Sequence, residues 1–202
     1  MNFSEHVRNV CRTCFYHLRQ IRSVRRSLTT KAATFICTRV DYGNAVYAGL
    51  TLSRISQLQS VLNAAARLIG GIPKFAHISC FIREELHWLP MQKRIEFKIL
   101  MLMRNCLASQ APVYLRELCV LVLSIPDRRF HHSAMQGDLV VPMAQTSMVL
   151  HKNFAVVGLS FWNRLPSNLR NELLGLSLPL FRRRLKTILF DRGLVLSGRE
   201  RL

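Results

Sequence analysis

The sequence predicts a mainly α-helical fold, an irregular bundle of about six to eight helices with a loop-rich middle and at most a short β element. Three observations carry that expectation. Apolar residues recur three and four apart along most of the chain, the repeat of one buried helix face. Proline and glycine stand where those patterns begin and end. The best strand candidate, Leu139-Val140-Val141, is short and closed by Pro142.

Taken in order, Val7, Cys11, Cys14, Leu18, Ile21 and Leu28 mark one face of a helix over 4–28. A second helix is predicted over 30–40, followed by a turn at Asp41-Tyr42-Gly43-Asn44. Ser53 is the expected N-cap of a third helix, with Ile55, Leu58, Leu62, Ala65 and Ile69 on its inner face and Gly70-Gly71 and Pro73 as its stop. A short helix through Ile82, Leu86 and Leu89 precedes Pro90, which opens a helix over 91–108. That helix is apolar nearly all round after Lys98, so it should be the most buried element. Pro112 starts a short helix through Tyr114, Leu115 and Leu118. Periodicity then weakens, with loop material at Asp127-Arg128-Arg129, His131-His132 and Gln136-Gly137-Asp138. A helix through Phe154, Val157, Phe161 and Trp162 follows. Ser177, with Pro179 behind it, caps a last basic helix carrying Phe181, Leu185, Ile188 and Leu189. The expected organisation is a helical unit over 1–123, a loop-rich linker over 124–152, a small helical unit over 153–192 and a tail over 193–202.

The chain has 202 residues, and half of them are apolar. That is enough for a sizeable core, burying roughly 70% of the unfolded surface. Charge is lopsided: 29 Lys and Arg face 11 Asp and Glu, for a formal +18, and most of the cations are arginine. Such a field attracts polyanions. Arginine holds phosphate through a planar fork and stacks on bases, which favours nucleic acid over an anionic membrane surface. The six cysteines lie in apolar runs and no secretory signal opens the sequence, so buried reduced thiols are expected rather than a disulfide framework. No uncharged run reaches the ~18 residues of a membrane span. The expectation is a soluble, intracellular protein, with nucleus and cytoplasm left open.

Catalytic chemistry finds no footing in the sequence. No two aspartates are adjacent, and two-metal nucleotidyl transfer needs carboxylates converging on ions ~3.5–4 Å apart. Glu84-Glu85 is the one adjacent acidic pair, but neighbours on a helix diverge by roughly 100°. No nucleophile elbow and no Walker-type glycine loop occurs. Cys11 and Cys14, flanked by His6 and His17, have zinc-like spacing. A knuckle would continue with His and Cys where Arg19 and Val24 stand, and both thiols fall on the apolar stripe, so core cysteines are expected and no metal or cofactor.

The positive signal is a basic face. Arg8, Arg12, Arg19, Arg22 and Arg26 fall within an arc of roughly 80° on the first helix, beside its apolar stripe. A solvated surface face is the plain alternative to nucleic-acid contact. Arg182, Arg183, Arg184 and Lys186 form a second cluster that wraps its helix and is less directional. Trp88 and Trp162 are candidate base-stacking platforms, but each stands among leucines or phenylalanine and is expected in the core.

Seven blocks stand in order along the chain: Arg39-Val40-Asp41-Tyr42 with Asn44, the run Leu58 to Ile69, Leu86-His87-Trp88-Leu89-Pro90, Arg94-Ile95-Glu96-Phe97-Lys98-Ile99-Leu100, Ala111-Pro112-Val113-Tyr114-Leu115, Phe161-Trp162-Asn163-Arg164-Leu165-Pro166 with Leu169-Arg170, and Phe181 to Thr187 with Leu189-Phe190. Together they resemble the C-terminal part of the reverse transcriptase of LINE-type (non-LTR) retrotransposons of the jockey-like and related clades. Gly43 stands where the family usually has Cys, and Met143 to Met148 replace a run of Arg, Lys and Thr. The resemblance implies a thumb and post-thumb region that follows the polymerase palm and contacts the template–primer duplex. The expected function is thus a non-catalytic C-terminal fragment of an RNA-directed DNA polymerase, binding RNA or DNA backbone through Arg8, Arg12, Arg19, Arg22 and Arg26, with Arg182, Arg183 and Lys186 adding to it. The palm domain is a further expected partner, and no membrane is. The alternative is an inert or repurposed remnant acting as a helical protein-interaction module.

Overall fold

Val7, Cys11, Cys14 and Leu18 are the buried side chains of α1 (Phe3–Ser23), the spacing that the sequence presents. The computed structural model describes residues 3–23, 30–125, 137–142, 154–167, 170, 172 and 175–197. The chain is mainly α-helical and divides into two compact units, residues 1–94 and 95–202.

In the first unit α1 packs against α2 (Thr30–Asp41) and α3 (Leu52–Gly70), which also pack on each other. Ile36, Cys37 and Val40 of α2 and Leu58, Val61, Leu62, Ala65 and Ala66 of α3 fill the space between. The expected turn after α2 is present: Gly43 has φ 66°, a left-handed conformation that costs glycine nothing, and it leads into a 3-10 turn, Asn44–Tyr47. The N-cap of α3 is Thr51 rather than Ser53. The Thr51 carbonyl already accepts the amides of Arg54 (2.9 Å) and Ile55 (3.1 Å), so Ser53 lies inside the first turn. At the other end Gly71 is left-handed, and the Ile72 amide bonds to the Arg67 carbonyl at 3.1 Å, the reversal that satisfies a helix's last carbonyls.

The predicted short helix beyond α3 is a π-helical turn, Phe81–Glu85, in which the Leu86 amide reaches the Phe81 carbonyl at 3.1 Å. Ala66, Ile78 and Ile82 form a small core there, covered by half-buried Phe81, Leu86 and Trp88. α4 (Met91–Leu107) then begins on a side chain of α3: Gln59 Oε1 accepts the Met91 amide at 2.7 Å, while Gln59 Nε2 donates to Asn63 Oδ1 at 2.9 Å. One orphan amide of the new helix is satisfied in this way.

The larger part of α4 belongs to the second unit. No residue from Ile99 to Leu107 is exposed, as its apolar sequence implies. α5 (Val113–Arg116) follows Pro112 and stops short of the predicted Leu118, since the Cys119 amide closes a turn onto the Arg116 carbonyl at 2.9 Å. Among the described residues the predicted β element is one antiparallel bridge between Leu121 and Leu139. That bridge ties residues beyond 120 to α6 (Phe154–Asn163), because Asn163 pairs with Leu139 as a strand would: Oδ1 accepts its amide at 2.9 Å and Nδ2 donates to its carbonyl at 2.8 Å. Both sides of that bridge lie in the second compact unit, which begins at Ile95. α7 (Leu178–Ser197) starts directly after Ser177 and buries Phe181, Leu185 and Leu189. It continues past Gly193, where a tail was expected, to Ser197. Most of the expected linker, including His131-His132, lies outside the described residues.

Candidate nucleic-acid interface

Burying one stripe of α1 on α2 and α3 fixes which way the rest of the helix points. Arg8, Arg12, Arg19 and Arg22 are all exposed, next to the buried stripe. From Arg8 to Arg22 the helix rises about 21 Å at 1.5 Å per residue. Over that length a duplex presents a dozen or so phosphates, one charge per ~1.7 Å of axis. Arg8 Nη1 makes an exposed ion pair with Glu5 Oε2 at 3.3 Å, a contact of the kind that polyanions readily displace. Arg12, Arg19 and Arg22 have no ion-pair partner among the described residues. Arg26 lies outside them.

The second unit carries its own basic element. With Phe181, Leu185 and Leu189 inward, Arg182, Arg183, Arg184 and Lys186 are exposed around the remaining sides of α7. Arg184 is 3.9 Å from Glu172, both half in water, and Lys186 Nζ lies 5.7 Å from the Phe190 ring. The cluster is exposed without being aimed in one direction.

The remaining candidates sort into structural roles. Trp162 is fully buried, and Trp88 is half-buried against the Ala66–Ile78–Ile82 core with the Arg94 guanidinium 5.5 Å from its ring. Trp162 thus offers no ring to a base, and Trp88 is largely committed to packing on that core. Cys11 and Cys14 are in the core of the first unit. Burial, and next the neighbouring Cys14, push the Cys11 thiol up to about 11, and burial raises Cys14 although Arg39 opposes the shift. Both thiols lie on the buried stripe of α1 together with Val7 and Leu18. Glu84 and Glu85 are exposed on the π-helical turn. Among the described residues no three His, Cys, Asp or Glu are grouped so as to hold a metal ion, and no helix is long and apolar enough to cross a membrane.

Sequence reasoning missed the buried arginines. Arg104 donates to Gln110 Oε1 (3.0 Å) and to the Leu176 carbonyl (2.9 Å) and faces the Phe181 ring at 5.9 Å. Arg170, 3% exposed, pairs with Asp138 and with the Asn163 carbonyl. Both occupy interior positions of the second unit, and their charge is spent on protein partners. Comparison with protein-family models, with curated proteins and with solved structures finds no match.

Proposed function

We propose that this chain is the thumb and post-thumb region of a LINE-type reverse transcriptase, and that it grips RNA or DNA by the backbone through the arginine face of α1 without performing chemistry itself. The observation that carries the nucleic-acid part is the exposed row Arg8, Arg12, Arg19 and Arg22 on a helix whose adjacent stripe is buried. Phosphate contacts of this kind position a duplex without reading its bases, which suits a polymerase thumb that must slide over any sequence. The ordered blocks that resemble the family support its origin, and their polar residues serve as internal struts: Asp41 meets Arg94, Gln59 caps α4, and Asn163 pairs with Leu139.

The test is salt dependence. Each phosphate contact gives a log–log slope of about −0.7 to −0.9. Replacing Arg8, Arg12, Arg19, Arg22 and Arg26 with Gln keeps helix propensity similar. The slope should become shallower by roughly three to four units, with little dependence on base sequence. Parent-like affinity and slope in the quintuple variant would refute contact through this face.

A helical protein-interaction module is the alternative. It is favoured by exposed apolar side chains in the second unit: Val113, Tyr114, Leu121 and Leu123 are each at least 40% exposed. Its signature is a partner that still binds the quintuple variant at high salt.

A further inference from the structure

Between α1 and α2 of the first unit lies an open cleft of about 560 Å³. That is within the ~300–1,000 Å³ usual for small-molecule sites. His6, Asn9 and Thr13 line it from α1 and Phe35, Thr38 and Arg39 from α2, with Tyr42 at the rim and buried Tyr47 at the base. Tyr47 Oη and His6 Nε2 share a hydrogen bond at 3.3 Å, which holds the base of the cleft in place.

Its composition selects the ligand. Aromatic rings stand open to water on the lip: Tyr42 is 83% exposed and Phe35 47%. The Arg39 guanidinium lies 5.6 Å from the Phe35 ring centre. Beyond Phe35 the row continues edge-on through His17 (5.8 Å) to Tyr16, itself 59% exposed. No carboxylate lines the cleft and Arg39 sits in it, so an anion is favoured there over an organic cation. Asn9 offers a neutral donor and acceptor, Thr38, whose hydroxyl donates to the Phe35 carbonyl at 2.8 Å, offers an acceptor, and Arg39 offers positive charge for a phosphate. Exposed rings, neutral hydrogen-bonding groups and one arginine suit a planar, hydrogen-bonding, anionic ligand.

We infer that this cleft receives unpaired nucleobases of a single-stranded RNA or DNA, stacked on Phe35 and Tyr42 with Arg39 at the phosphate. The inference rests on the nucleic-acid reading above but uses a different side of α1. His6, Asn9 and Thr13 lie roughly 130° around the helix from the arginine row. A base inside a duplex is already stacked on its neighbours, so only a single strand gains from the rings. The first unit thereby has two modes of contact, a backbone grip on duplex and a stacking site for strand beyond the duplex end.

The experiment compares a fluorescein-labelled oligo(dA) single strand with a blunt duplex of the same length, using the full chain. Phe35→Ala/Tyr42→Ala should weaken single-strand binding by about tenfold or more, the loss typical of removing base–aromatic stacking. Duplex affinity and its salt slope should not change, because these rings lie away from the arginine row. As a second readout, Tyr42→Trp puts an indole at the rim, and oligo(dA) should quench its fluorescence while the duplex does not. Parent-like single-strand affinity in the double variant, or no quenching at saturating oligo(dA), overturns the stacking site. If the parent's steep duplex salt slope persists in that event, the backbone reading stands alone. If the parent binds neither probe, both fall.

Discussion

Arg94 Nη1 donates to Asp41 Oδ2 at 2.6 Å, joining the first turn of α4 to the last residue of α2 across 53 positions of sequence. The same guanidinium donates from Nε to the Leu89 carbonyl at 2.8 Å and lies 5.5 Å from the Trp88 ring. One arginine therefore fastens the turn after α2, the segment before α4 and the covering indole.

Arg94→Met keeps the apolar stem and removes every one of these bonds. Hydrogen bonds to charged groups contribute about 1.5–3 kcal/mol, and Asp41 is 38% exposed, so a loss near the lower end, about 1–2 kcal/mol, is expected. Urea unfolding measures it. Asp41→Asn should cost less, since an amide oxygen still accepts from Arg94.

Trp162 has no exposed surface, so Trp162→Ala should destabilise the protein by about 3–5 kcal/mol. Its indole nitrogen is buried with no hydrogen-bond partner among the described residues. Trp162→Phe, which removes that N–H, should therefore cost distinctly less than Trp162→Ala. Unchanged thermal stability in the alanine variant, with a large loss of RNA affinity, would instead mark the ring as a binding platform.

Asn163→Leu fits the space approximately but leaves the Leu139 amide and carbonyl without their partner. Each unpaired buried group costs about 1–3 kcal/mol. The loss should appear as faster amide hydrogen exchange at Leu139 and a lowered Tm. Asn163→Asp keeps an acceptor for the Leu139 amide but turns a carboxylate oxygen toward the Leu139 carbonyl, so it should recover little of the loss.

Alkaline pH should unfold the chain through its thiols. Burial pushes Cys37 up to about 11 and Cys119 up to about 12, with Cys11 also at about 11, against 9.0 for an ordinary thiol. Below 9 both folded and unfolded chains hold these protons, and the thiols add no pH dependence. Between 9 and 11–12 the unfolded chain releases protons that the folded chain keeps, so stability falls as pH rises through this window. Tm measured from pH 8 to 11 should drop beyond 9, and Cys37→Ala should flatten part of that drop.

The helices were legible where burial follows a local repeat. Val7, Cys11, Cys14 and Leu18 show their common face in the sequence because the helix period alone brings them together. The exposed arginines of α1 were legible for the same reason, being the complement of that stripe. Arg104 and Arg170 were not, because what buries them is distant: the Leu176 carbonyl lies 72 residues from Arg104, and Asp138 lies 32 from Arg170. Nor was the π-helical turn, since Phe81 to Glu85 have no local pattern that separates five-residue from four-residue bonding. The cleft escaped notice because Phe35, Tyr42 and His6 belong to separate segments, and only the packing of α1 on α2 gathers them.

Gln59 settles where α4 begins, and this makes the stretch between the two helices a splice point. The distance from Gly71 to Pro90 is fixed at both ends, by Gly71 itself and by the Gln59–Met91 bond. Within that stretch Phe75 is 92% exposed. Doubling the length of a tethered loop costs only ~0.6 kcal/mol. A peptide tag or small reporter inserted beside Phe75 should therefore leave both helices in register, giving a handle for surface attachment.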